Sequence, residues 1–147
     1  MKKILLALAA VLMTGTVSAQ NENTIVGYWL TQDKDSKVEI YKAKDGLFYG
    51  AIRWLKEPNR NGAPKKDDKN PQEKLQSRAI LGLSILNGFH YNQEDKEWVD
   101  GTIYDPKSGK TYKCLMWFDG NFTTLHVKGY IGFSIIGREV SWTKTNL

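Results

Sequence analysis

The chain has 147 residues, of which 41% are hydrophobic and 25% charged; it carries a formal net charge of +5 and a single cysteine. That length suits one domain around one core, the scattered basic excess argues against a nucleic-acid binder, and one cysteine excludes an intrachain disulfide framework. Stability must come from packing, for which five tryptophans, seven tyrosines and five phenylalanines supply the apolar area.

Lys2 and Lys3 precede an uncharged apolar run from Ile4 to Met13, and Val17-Ser18-Ala19 places small residues where a signal peptidase reads. The pattern predicts a signal peptide at 1–19, with Gln20 the first mature residue and 20–147 a single domain of charge +3. The run is shorter than the roughly 18 apolar residues that span a bilayer. No membrane span and no lipid-bearing cysteine are expected, so the product is read as exported, periplasmic or extracellular, and soluble.

Short strand-like runs separated by turn dipeptides follow in chain order. Thr24 to Leu30 is the first, and Lys37 to Tyr41 alternates around Val38 and Ile40. Asp45-Gly46 marks a hairpin, because both residues tolerate the positive φ of a tight turn. Leu47 to Leu55 then places Phe48, Ile52 and Trp54 on one face, with Gly50 as a bend or close approach. Leu83 to Tyr91 and Glu97 to Tyr104 come next, and the latter ends at the turn Asp105-Pro106-Lys107-Ser108-Gly109. Lys110 to Phe118, Phe122 to Lys128 and Phe133 to Thr143 complete about eight strands. That count predicts an all-β, up-and-down antiparallel barrel that closes without edges.

The polar stretch from Lys56 to Ile80 is too long for a hairpin. Within it, Asn70-Pro71-Gln72-Glu73 has the order of a capping box, which predicts a short helix from Pro71 to about Arg78. Such a helix would serve as a lid or as a spacer over one barrel end.

Few residues offer chemistry. Asp67 and Asp68 resemble a fragment of a calcium loop but lack its spaced oxygens and distal glutamate, so no metal is expected. His90 and His126 stand in no ligand or catalytic spacing and read as half-buried strand residues. Cys114 alternates with Tyr112, Met116 and Phe118, which predicts a buried, inert thiol. Lys56 and Glu57 end a strand, either to meet a polar headgroup or as a bare ion pair. The aromatic surplus is either core or the lining of a cavity. In the second case Trp54, Phe89, Tyr104, Tyr112 and Trp117 are the candidate ligand-binding residues, with Glu57 at the rim. Tyr112 and Trp117 cannot both face inward on a regular strand, because their spacing is odd.

Gly27-Tyr28-Trp29 resembles the Gly-X-Trp motif on the opening strand of lipocalin-type barrels, where an arginine near the end packs over the tryptophan. By that resemblance Gly27, Trp29 and Arg138 would close the barrel structurally, through a cation–π contact of about 0.5–2 kcal/mol. A wider set is similar to a bacterial secreted family, domain of unknown function 2147. It comprises Ile25 to Trp29, Trp54 to Pro58, Lys66 to Pro71, Leu81 to Leu83, Gly101 to Pro106, Ser108 to Lys110 and Arg138 to Trp142. The resemblance covers nearly all of the chain after the leader and implies a calycin-like barrel with an envelope or extracellular location. It implies no activity. Glu139 departs from the small or hydroxylated residue expected beside the arginine, which bears on how Arg138 is paired.

The leading expectation is a protein that binds a small hydrophobic or amphipathic molecule, a lipid included, in its barrel and needs no cofactor. The alternative is an envelope interaction module using the 56–80 segment or the 129–132 turn region. An enzyme ranks third, because no acid, base or nucleophile set is legible.

Overall fold

The computed structural model describes residues 19–132 and 137–147. Residues 1–18 of the expected signal peptide and 133–136 of the expected last strand lie outside the described residues. A 3₁₀ turn at Glu22–Ile25 leads into β1 (Gly27–Leu30), β2 (Ser36–Lys42) and β3 (Phe48–Leu55). A minimal hairpin, β4 (Asn59–Arg60) and β5 (Ala63–Pro64), follows. The chain then runs through β6 (Ser84–Asn92), β7 (Glu97–Asp105), β8 (Lys110–Trp117), β9 (Thr124–Tyr130) and β10 (Gly137–Thr145).

All strands except β4 and β5 join in one closed antiparallel barrel, with neighbours in the order β1-β10-β9-β8-β7-β6-β3-β2. The expected eight-stranded barrel is therefore the fold. Two local expectations fail. Thr24 and Ile25 belong to the 3₁₀ turn rather than to β1, because the Asn21 side chain accepts the Asn23 N–H and Thr24 reciprocates at Asn21. The predicted 71–78 helix reduces to a 3₁₀ turn at Glu73–Leu75. Asn70 is drawn inward instead of capping a helix: its oxygen accepts from Gln72 N–H, while its amide donates to Asp67 and Tyr104.

Antiparallel pairing sends alternate side chains into the barrel. Val38 and Ile40 on β2, Met116 on β8, and Leu125 and Val127 on β9 are almost fully buried this way. Irregularities break the alternation at two places that matter. On β3 the register against β2 slips, so that Val38 faces Ile52 but Lys37 faces Trp54, leaving Arg53 as an inserted residue. Trp54 therefore shares the outer face with Lys37, whose ammonium lies 5.2 Å from its ring centroid, instead of the inner face with Ile52. On β7 the register against β8 slips between Trp98 and Gly101.

The two ends are finished differently. At one end, Trp29 and Trp98 are fully buried and meet Phe118 at centroid separations of 5.7 and 5.6 Å. Phe48 and Tyr91 complete this aromatic layer around Trp98. Each indole N–H has an acceptor in the 3₁₀ turn: Trp29 donates to Ile25 O at 2.8 Å and Trp98 to Glu22 O at 3.1 Å. The turn thus plugs this end and satisfies two donors that burial would otherwise penalise. The cation over Trp29 is Lys144, 5.6 Å from the ring centroid, and not Arg138. The register explains the correction, because Trp29 pairs with Lys144. Arg138 lies six residues back along β10, about 20 Å away toward the other end.

Phe89 is fully buried beside this layer and occupies the space a side chain at Gly101 would need: a Cβ there would lie 2.4 Å from the Phe89 ring. We expect Gly101→Val to lower stability by about 1–3 kcal/mol through overpacking. Chemical denaturation monitored by tryptophan fluorescence checks this, and Phe89→Ala in the same chain should recover part of the loss.

Candidate functional site

The aromatic layer fills one half of the barrel and leaves the other half hollow. A cavity of about 730 Å³ opens at the end where β1, β3, β7 and β9 finish. This volume falls in the ~300–1,000 Å³ range of small-molecule sites. Its walls are the inward residues of successive strands: Ile52 on β3, Ile85 on β6, Ile103 on β7, Val127 on β9 and Val140 on β10, with Trp142 deeper. Ile103 pairs with Tyr112, and Val140 with Val127, so these side chains share the inner face by register. Cys114 lies on that face too, fully buried, and burial pushes its thiol up to about 12, which keeps it protonated and unreactive near neutral pH.

The mouth is polar. Asp33 and Asp35 stand on the β1–β2 loop, and Lys107 stands on the β7–β8 turn. In the barrel order these two connections are four places apart, on opposite sides of the ring. Lys107 nevertheless reaches Asp35 at 2.6 Å and Asp33 at 3.1 Å, so the ion pairs run across the opening. Burial alone would raise the Asp35 carboxyl; hydrogen bonds from Lys107, Thr31 and Ser36 outweigh it and hold Asp35 below the ordinary 3.8. Lys107 is raised above 10.5, first by its hydrogen bond to Asp35.

The residues singled out from sequence are scattered over the barrel. Trp54 is on the outer face because of the Arg53 bulge. Glu57 is an exposed loop residue 3.9 Å from Lys65. Phe89 packs into the filled half. Trp117 lies outside, stacked on His126 at 5.2 Å, and donates to Asp119. His126 is held between Asp119 and Glu139, so Glu139 pairs with this histidine and not with Arg138. Tyr104 borders the cavity, but its hydroxyl is turned onto Asp67. Of the aromatic candidates, Tyr112 is the one that register places on the inner face of the hollow half. Ile85, Ile103, Lys107 and the inward position of Arg138 went unnoticed in the sequence. Counting back by twos from buried Trp142 reaches Val140 and Arg138, a signal that was available.

Asp67 and Asp68 diverge. Asp68 is exposed on Arg60, whereas Asp67 is fully buried and accepts from Tyr104 Oη, Arg78 Nε at 2.8 Å and Asn70 Nδ2 at 2.9 Å. Tyr104 is raised above the usual tyrosine value by burial and by its bond to Asp67. This cluster clasps the long 56–83 segment to the outer face of β7. The segment also crosses the β7–β8 turn at Gly109, whose φ is +73° and where a Cβ would lie 1.9 Å from Lys69 O. No other residue type fits that crossing.

Removing the Asp67 carboxylate leaves the Tyr104 hydroxyl and the Asn70 amide without their main acceptor. Asp67→Ala should cost about 1–3 kcal/mol for each donor left unsatisfied. It should also speed limited proteolysis within 56–83 before the barrel itself is cut. The mouth ion pairs are exposed, so Lys107→Ala should cost under ~1 kcal/mol while increasing hydrogen exchange in the 31–35 and 106–109 loops. The pH dependence follows from the two shifts. The depressed Asp35 contributes above 3.8 and its contribution disappears as pH falls through its folded value. The raised Lys107 contributes below 10.5 and is lost as pH rises through its own. Protection of the two loops, taken relative to the intrinsic exchange rate at each pH, should be greatest between those limits and should fall outside them.

Comparison with known proteins bears on this architecture. The family model described as "Uncharacterized protein conserved in bacteria (DUF2147)" matches residues 27–144. A solved structure of protein HP1028 from Helicobacter pylori, described as belonging to the lipocalin family, superimposes with a TM-score of 0.71. It is 24% identical to this chain and the match covers 83% of each chain, a likeness of fold. No curated protein matches significantly. Among the described residues no helix is long and apolar enough to cross a membrane. The chain carries this family's match on a lipocalin-like barrel, and it belongs to the DUF2147 family of bacterial proteins.

Proposed function

We propose that the protein is an exported carrier that holds one small hydrophobic or amphipathic molecule in the open half of its barrel. The observation that carries this reading is the cavity of about 730 Å³, with isoleucine and valine walls and a charged mouth. An apolar void of this size gains by filling: each buried CH₂ of a ligand is worth about 0.8 kcal/mol, and an empty cavity forfeits the packing contacts of its lining. A polar rim around an apolar pocket suits a ligand with one polar end. The mouth carboxylates Asp33 and Asp35 are engaged by Lys107, which favours holding a molecule over transforming one. Export is supported by the leader-like run of 4–13 and the small residues before Gln20.

Native mass spectrometry of the protein purified from its own compartment tests the reading. We expect a defined extra mass, lost on denaturation and restored by the extracted compound. Ile103→Trp, which projects an indole into the cavity, should abolish that mass while a cooperative thermal transition is retained. A clean apo mass, together with no displacement of a fluorescent apolar probe by any added amphiphile, would overturn it.

A further inference from the structure

The charged residues that line the cavity are not equivalent. Asp33 and Asp35 are drawn to Lys107. Asp105 is occupied by its own turn, accepting from Lys107 N–H and the Ser108 hydroxyl. Arg138 differs from all of these, since among the described residues its side chain enters neither an ion pair nor a hydrogen bond. Its placement is set by register: Arg138 pairs with Gly129, two steps along β10 from Val140 opposite Val127, so it projects from the inner face at the mouth. Gly129 has no side chain to fill the space before it, and on its other side Cys114 is its partner, with Tyr112 one inward position along β8. A Cβ at Gly129 would sit 3.4 Å from Tyr112 Cβ, so the two residues are in contact distance across the inner face. Three adjacent strands thus present a guanidinium, a gap and a phenol in a row at the top of an apolar cavity.

From this row we infer, resting on the carrier reading, that the ligand is a single-chain amphiphile with a carboxylate head. Arg138 holds the head at the mouth with the Tyr112 hydroxyl as a second donor, and the tail lies among Ile85, Ile103 and Val127. The fork of a guanidinium matches a carboxylate through two parallel hydrogen bonds. One uncommitted cation beside three aspartates suits one negative charge and not the roughly −2 of a phosphate monoester. Arg138 is exposed before binding, so the head reaches it without first breaking a buried pair.

Calorimetric titration of the purified protein with dodecanoate, dodecanol and dodecyltrimethylammonium tests this. We expect dodecanoate to bind about ten-fold or more tighter than dodecanol, the worth of one charge-assisted contact. Arg138→Gln should abolish that preference, leave dodecanol affinity within about two-fold, and leave the circular dichroism spectrum and thermal transition unchanged. Equal binding of acid and alcohol, an acid preference that survives Arg138→Gln, or tightest binding of the ammonium compound would each overturn the headgroup assignment while the carrier reading stands. Binding of none of the three would overturn the headgroup assignment too, and the carrier reading would then stand or fall on the native mass and probe displacement.

Discussion

Eight strands close only if the first meets the last, and β1 is four residues long. Its pairing with β10 covers residues 28–30 against 143–145. Beyond it, the Gln32 side chain accepts the Ser141 N–H at 3.0 Å and extends the seam by one bond. So short a strand holds because its tryptophan is anchored on all sides. Trp29 is packed on Phe118, covered by Lys144 and bonded to Ile25 O. An edge left open here would expose unpaired backbone groups; closure removes that edge and fixes which end of the barrel is solid.

The hollow half follows from the same arrangement. With Trp29, Trp98, Phe48, Phe89 and Phe118 crowded toward one end, the wall of the other half is mainly isoleucine and valine, joined by Tyr112, Trp142 and, at the mouth, Arg138, and these line the cavity without filling its centre. Glycine at 101 makes this segregation possible, because its missing side chain is the site of the Phe89 ring. The open end is then finished by polar contacts instead of packing. Lys107 bridges the mouth, and Asp67 clasps the long segment to the outside of β7. These two devices differ in strength for a physical reason. The exposed pairs at the mouth are weak and reversible, whereas the buried Asp67 accepts from Tyr104 and Asn70, buried donors that have no water to turn to. The barrel therefore has a firm wall and a loosely tied mouth.

Local signals in the sequence were sound wherever the determining partners are neighbours. The Asp45-Gly46 hairpin forms with Gly46 at φ +83°, and the Asp105 to Gly109 turn closes with Gly109 N–H on Asp105 O. Period-two alternation located most strands to within a few residues. It failed at Trp54, where one inserted residue reverses the face and nothing in the local composition marks the slip. The resemblance that put Arg138 over Trp29 fails likewise: Lys144 takes that place, while a count by twos back from Trp142 puts Arg138 at the inner face of the mouth. Asn70 shows a third kind of failure. Its cap-like sequence context was overruled by Asp67 and Tyr104, partners three and thirty-four residues away.

The sequence by itself determined the all-β class of fold, because alternation and turn chemistry are properties of a few adjacent residues, and eight such runs are the number that closes a small barrel. It also determined that the thiol would be buried and that Asp105 to Gly109 would turn. The tertiary structure alone decided which half of the barrel is hollow, which cation covers Trp29, and that Lys107 spans the mouth to Asp33 and Asp35. Those outcomes depend on strand register and on contacts between residues up to 117 positions apart in the chain, from Tyr28 to Thr145. A register is a global property: each bulge shifts every pair beyond it, so no window of local sequence contains the information.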